Sequence, residues 1–304
     1  MSKVLVAGLI NMETTLAIDG FPVGYTPVRF PFFGVNSSVS GVGYNITKAL
    51  TRLGHETVCL ALIGDDAPNH IIRQALRVMG VPDRYVLSAL AQTPQSVILY
   101  DPAGQRAIHT DLKDIQDQAY PLESLQMALS GCTLAVMCNI NFTRALLPYV
   151  QQAQIPIATD VHAIHDLHDA YNADYMRQAL ILFQSHERLP CSPEEWVRRV
   201  WHTYGTPMVV IGLGSEGALL GVKDHQFIER IPAVYTRPVV NTVGAGDALF
   251  SAFVHTYLHT NNPYTAIQKA VIFASYKIGM TGAADGFLDA FALDEWHIRL
   301  LEKR

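Results

Sequence analysis

The chain has 304 residues, 49% of them hydrophobic and 16% charged, which is enough apolar material to bury a large core without disulfide or metal staples. Its 22 Lys and Arg stand against 27 Asp and Glu, a formal net charge of −5, and the absence of any basic run removes the electrostatic footprint of a nucleic-acid binder. No apolar stretch approaches the roughly 20 residues that span a bilayer, so the expected partner is a small molecule rather than nucleic acid or membrane. Cys59, Cys132, Cys138 and Cys191 form no CxxC pair and read as reduced structural thiols. The first eight residues carry one basic side chain and a short apolar run leading into Asn11 and Glu13, which is not a secretory leader; the expected compartment is the cytoplasm.

In chain order, apolar runs of strand length occupy 4–10, 57–63, 133–138, 155–159, 180–183 and 208–211. Continuous Val, Ile and Leu without alternation describe strands covered on both faces. Amphipathic stretches lie between them at 46–53, 71–79 and 196–204, the last running into Gly205 and Pro207 as stop signals. Strand alternating with helix predicts an α/β fold with a mainly parallel sheet.

Two segments break the rhythm. Residues 14–39 turn at Pro22, Gly24 and Pro27, and residues 95–110 read as a hairpin folded at Asp101-Pro102-Ala103-Gly104. Both predict a small extra sheet, built from insertions, that lies beside the main one as a lid. Residues 1–304 are otherwise expected to form a single domain. The contiguous Phe30-Pro31-Phe32-Phe33 is a contact surface in either of two ways, over a ligand or against a second copy of the chain.

Ligands of open parallel sheets sit at the carboxyl ends of the strands. The apolar runs deliver, in turn, Asn11 and Glu13, Asn139 and Asn141, Asp160 and His162, Gln184, Ser185 and Glu187, and the loop from Gly212 through Gly214 to Gly217. Any one of these clusters is ordinary loop polarity. Their repetition at one topological end is what marks a site.

The densest signal is Asn241-Thr242-Val243-Gly244-Ala245-Gly246-Asp247, followed by Leu249, Phe250, Phe253, Val254, Tyr257 and Leu258 at helical spacing. Gly244 to Asp247 therefore opens a helix, where free N–H groups bind an anion. Asp247 would take a proton from an attacking hydroxyl while the Gly244, Ala245 and Gly246 amides stabilise charge on a transferring phosphoryl group. An Asp that merely caps the helix beside turn glycines fits the spacing equally well.

The motif and its helix resemble the carboxyl-terminal signature DTxGAGD of the PfkB-type carbohydrate kinases, the ribokinase family. Gly41-Val42-Gly43-Tyr44-Asn45 and the helix after it resemble the family's GGxGxN. Fainter matches follow in order: Asn11-Met12-Glu13, Gly64-Asp65-Asp66, Gly212 to Gly217, and Gly282-Ala283. The resemblance implies a three-layer α/β/α sandwich with a small β lid, transferring the γ-phosphoryl of ATP, with Mg²⁺, to an alcohol group of a sugar. Carried over by position, Asp247 is the general base and the Gly244, Ala245 and Gly246 amides are the anion hole. Asn11, Glu13, Gly41, Gly43, Asn45 and Asn141 line the acceptor pocket, and Gln184, Glu187, Gly212, Gly214 and Gly217 face ATP and magnesium. Three positions depart from the family pattern: Glu13 for Asp, Gln184 for Asn, and Asn241 for the Asp linked to a monovalent cation such as K⁺.

Two alternatives stand beside this reading. Phe30, Phe32, Phe33 and Tyr44 stack on a nucleobase if the acceptor is a nucleoside, or else pack the lid's own core or a homodimer contact. A non-catalytic sugar or nucleotide sensor is the reading from another class, motivated by the three departures. His162, His165 and His168 step around a helix by about 60° each, too divergent for a shared ion, so no dedicated transition-metal site is expected. The Gly212 to Gly217 run lacks the complete dinucleotide fingerprint.

Overall fold

The apolar runs become the strands of one large sheet in the computed structural model, which describes residues 2–302. The strands are β1 (Lys3–Ala7), β2 (Asn11–Ala17), β3 (Val35–Ser40), β4 (Glu56–Gly64), β5 (Val86–Leu90), β6 (Gln95–Tyr100), β7 (Arg106–Asp111), β8 (Leu134–Met137), β9 (Ile157–Asp160), β10 (Ala179–Ser185), β11 (Met208–Gly212), β12 (Gly217–Val222) and β13 (Phe227–Pro232). The helices are α1 (Val42–Arg52), α2 (Ala67–Val78), α3 (Leu122–Leu129), α4 (Asn141–Arg144), α5 (Leu147–Gln152), α6 (Ala173–Gln178), α7 (Pro193–Tyr204), α8 (Ala245–Thr260), α9 (Pro263–Lys277) and α10 (Ala290–Leu301).

Nine strands form the large sheet in the order β13-β12-β11-β10-β9-β8-β1-β4-β5. All its pairings are parallel except those of β12 with β11 and with β13. Side chains alternate across it. Leu5, Ala7, Leu60, Leu62 and Leu182 pack under α3, α5, α6 and α7, while Val4, Val6, Val136, Phe183 and Val210 pack under α1, α8 and α9. Helices on both faces explain why the strands read as unbroken apolar runs. β5, β12 and β13 lie outside the runs predicted from the sequence, two of them as an antiparallel edge. Residues 162–168 contain no helix. No helix of the described residues is long and apolar enough to cross a membrane.

The two interrupting segments form a separate four-stranded sheet, ordered β3-β2-β6-β7, with the predicted hairpin as β6 and β7. β2 leaves β1 after three residues and β3 runs straight into α1 through Gly41. The second sheet is therefore tied to the carboxyl end of β1 and the first turn of α1, where the polar clusters gather. Register decides which of its side chains face inward. Glu13 pairs with Ser38 and Ser96, and Thr15 with Asn36 and Ile98, so Asn11, Glu13 and Thr15 share one face and are buried there.

Candidate active site

Asp247 stands in the first turn of α8, half-buried, with Gly244 before the helix at φ 77°. A Cβ at Gly244 would lie 2.3 Å from the Ala283 carbonyl oxygen, so only glycine closes this turn against residues 282–285. The first-turn N–H groups of Gly246 and Asp247 have no intrahelical acceptor, whereas Ala245 N–H already donates to Thr242 O at 3.2 Å.

Asn45, on α1, donates its Nδ2 to Asp247 Oδ2 at 2.7 Å, joining the two motifs across a separation of about two hundred residues. Burial lifts Asp247 to about 6, with Asp160 pushing the same way and Asn45, His162 and Lys277 opposing. At neutral pH the group is mostly ionised, yet its affinity for a proton is that of a general base.

Inward from Asp247 the wall is polar. Ser40 Oγ lies 2.9 Å from Glu13 Oε2, as donor, and 3.3 Å from Asn45 Oδ1, while Asn11 Nδ2 donates to Ser96 Oγ. Burial holds Glu13 above the usual carboxylate range against the Ser40 hydrogen bond and the nearby Lys277 charge. Two acceptor atoms on this wall, Asn11 Oδ1 and Glu13 Oε1, are buried without a hydrogen bond.

Other expected residues serve the wall indirectly or stand apart. Gly41, at φ 101°, would place a Cβ 2.5 Å from Leu9 O, and Gly43 spends its N–H on that same carbonyl at 3.0 Å; both bring α1 against the end of β1. Asn141 is exposed and bonded through its backbone and side chain to Gln116. Tyr44 is buried among Ile10, Val39, Cys59 and Ile63 and offers no free ring face. Phe30, Phe32 and Phe33 are 75%, 87% and 100% exposed, so they do not pack the second sheet's own core.

Near the carboxyl end of β10, Gln184 has both amide atoms buried and unbonded. Glu187 lies exposed on the following loop, which His186 ties to the Gly212 carbonyl through Nδ1 at 2.9 Å. Gly214 is exposed in the short turn beyond, while Gly217 is wedged against Ile231. An orphaned buried amide beside an exposed carboxylate and an open turn fits a polar ligand carrying a hydrated cation.

The monovalent-cation position behaves differently. Asn241 Nδ2 donates to Thr281 O at 2.9 Å and Oδ1 accepts from Val243 N–H at 3.0 Å. A donor aimed at a carbonyl and an oxygen already engaged do not fit a K⁺ site.

Two contributors were not legible in the sequence. Lys277, hidden in the apolar helix α9, is fully buried, donates to Val243 O, and sits among Asp247, Glu13 and Asp285 with its amine lowered by burial to about 8. Arg106 on β7 donates to Thr242 Oγ1 at 3.0 Å, and Ile98 packs on Val243 and Ala283, so the second sheet rests on the loop that carries Asp247. The four cysteines are free in the structure, Cys59 and Cys138 buried and Cys132 and Cys191 half-buried.

A helix N-terminus with unbonded N–H groups beside a carboxylate of raised proton affinity is an arrangement suited to group transfer. The family pattern described as pfkB family carbohydrate kinase matches residues 1–290; the chain belongs to this family and is a kinase, for which ATP is the expected donor. It is 23% identical over 294 residues to the acarbose 7(IV)-phosphotransferase of an Actinoplanes species, covering 96% of this chain and 97% of that one. Among solved structures, a microbiome-derived acarbose kinase, Mak1, superposes with a TM-score of 0.88 at 22% identity, covering 98% of this chain and 99% of that one. The ribokinase of Giardia lamblia superposes at 0.84 with 16% identity over 98% and 99%. At these identities the structural likeness establishes the ribokinase-like fold.

Proposed function

We propose that the protein transfers the γ-phosphoryl group of ATP to a hydroxyl of a small sugar or sugar-like acceptor, with Asp247 as the base. The observation that carries this is the pairing of Asp247, held by Asn45 at 2.7 Å, with a buried wall that leaves two acceptors, Asn11 Oδ1 and Glu13 Oε1, and the Thr15 hydroxyl without hydrogen bonds. Unpaired buried acceptors are costly until donors reach them, and a polyhydroxylated ligand brings several. A nucleoside is the weaker fit, because Tyr44 is sealed in the core and no other aromatic face stands on the wall described. The relatives named for acarbose support a carbohydrate acceptor.

In this mechanism the acceptor hydroxyl gives its proton to Asp247 as its oxygen attacks the γ-phosphorus in line, and ADP leaves. The first-turn amides of α8 face the charge on the transferring group. Gln184 and Glu187 would lie toward the Mg²⁺ that accompanies ATP, which neutralises phosphate charge when bound. Lys277 holds a positive charge behind the two carboxylates.

ADP release in the presence of Mg²⁺ is the test, measured against sugars, amino sugars, oligosaccharides and nucleosides, with Asp247→Asn as the control. Turnover with a carbohydrate and its loss in the variant are expected. Turnover confined to nucleosides, or unchanged in Asp247→Asn, overturns the reading.

The outward face of the second sheet and the loop before β3 carry Val28, Phe30, Phe32, Phe33, Val35 and Val97 exposed. A second copy of the chain covers this face in our reading, because apolar area of this kind marks a contact. Light scattering should give a dimer that Phe32→Asp converts to monomer; a monomeric native protein sinks the idea.

A further inference from the structure

Three histidines converge at the opposite end of α8 from Asp247. His255 and His259 are four residues apart and share one face of the helix. His55 comes from the turn between α1 and β4. His55 Nε2 lies 3.0 Å from His255 Nδ1, and ring centroids are 5.1, 5.1 and 4.5 Å apart around the triangle. His55 and His255 are buried and His259 is exposed.

Hydrogen bonding satisfies this cluster only in part. One N–H can bridge His55 and His255, and His259 Nδ1 bonds to the His255 carbonyl at 2.9 Å. As the donor in that bond, His259 keeps Nε2 as a lone-pair nitrogen. Donation of the second ring nitrogen to a main-chain carbonyl is how metal-bound imidazoles are usually oriented. His55 Nδ1 is buried on the side of the Ser2 main chain, where any hydrogen bond it makes is a weak one. The Lys269 amine nearby is engaged by Asp294.

We propose that His55, His255 and His259 bind a zinc ion that clamps the carboxyl end of α8 to the turn before β4. One nitrogen from each residue lies within 4.8 Å of the others. Zn–N bonds of about 2.0–2.1 Å in a tetrahedral site place ligand nitrogens about 3.3 Å apart. The His55–His255 pair is already near that spacing, and the exposed His259 closes the remainder by side-chain rotation. Three imidazoles leave a fourth position for water and suit zinc better than magnesium or calcium. The kinase chemistry does not use this site: His259 is twelve residues along the helix from Asp247, roughly 18 Å at 1.5 Å per residue.

The test is a titration of the chelator-stripped full chain with Zn²⁺, and with Co²⁺ as a spectroscopic probe. Expected are one zinc per chain, a tetrahedral Co²⁺ visible spectrum, and a rise of about 5 °C in unfolding midpoint near saturation. His259→Gln should abolish all three while leaving basal turnover and apo-protein stability close to wild type. A triple variant, His162→Gln, His165→Gln and His168→Gln, should keep the zinc stoichiometry, the Co²⁺ spectrum and the midpoint shift. No stoichiometric zinc in the wild type, binding that survives His259→Gln, or binding lost only in the triple variant each overturns the proposal.

Discussion

The nine-stranded sheet and the four-stranded sheet are built on opposite terms. Main-sheet residues such as Val6, Leu60, Phe183 and Val210 are buried among apolar neighbours on both faces. The second sheet buries Asn11, Glu13, Thr15, Ser40 and Ser96 on its inner face and leaves Asn11 Oδ1, Glu13 Oε1 and Thr15 Oγ1 without hydrogen bonds. Buried polar atoms without partners destabilise a fold, so the second sheet gives up stability that the main sheet supplies. Asp247 stands where the two meet.

The largest expected effect falls at that junction. Asp247→Asn should lower kcat about 10²–10⁴-fold, the range for a lost general base, while raising the unfolding midpoint at neutral pH. Its folded pKa of about 6 lies above the ordinary 3.8, so this group's contribution to stability is fullest below the unfolded value and is lost as pH rises through about 6. Turnover runs the other way: kcat/KM, which reports the free enzyme, should climb with pH through about 6 as the carboxylate ionises, and that limb should vanish in the variant. A pH-independent wild type would break the assignment.

Phe253→Ala probes the main sheet alone. Phe253 is fully buried against Phe183, with ring centroids 5.4 Å apart, and truncation should remove about 3–5 kcal/mol of stability. Turnover per folded molecule should stay at the wild-type level. A large change in KM without loss of stability would mean that core and site are not separable in the way described.

The same contrast explains how much was legible in the sequence. Main-sheet strands such as β1 and β11 announce themselves because both faces are apolar. β12 and β13 were missed: they form an antiparallel edge, and three of the six residues of the outer strand are exposed, Glu229 and Arg230 among them. Asp247 and Asn45 were found from glycine-bearing motifs whose spacing is local. Lys277 was not, since a lysine at the end of α9 looks like a solvated helix face until the fold buries it. His55 and His255 are 200 residues apart, and only the packing of α1 beside α8 brings them together.

Glu13→Gln tests the second sheet. The change preserves shape and removes the charge whose Oε1 is left free. Losing a charge-assisted hydrogen bond to an acceptor hydroxyl should raise the KM for sugar about 10–100-fold and leave the KM for ATP within about twofold. Equal movement of both constants would place Glu13 in the shared machinery instead of on the acceptor wall.

The smallest expected effect is that of monovalent cations. Asn241 lies on the loop that carries Asp247, so a cation bound there would bear directly on the anion-binding helix end. Its amide instead donates to Thr281 O and accepts from Val243 N–H, so one neutral hydrogen bond ties the loop to residue 281 and the other orders the loop within itself. The loop is organised before any ion arrives. Exchanging K⁺ for a bulky organic cation at constant ionic strength, which holds general screening fixed, should therefore change kcat by less than about twofold, well under the tenfold that corresponds to about 1.4 kcal/mol. Tenfold stimulation by K⁺ would show that the Asn241 amide turns away from Thr281 when the ion binds.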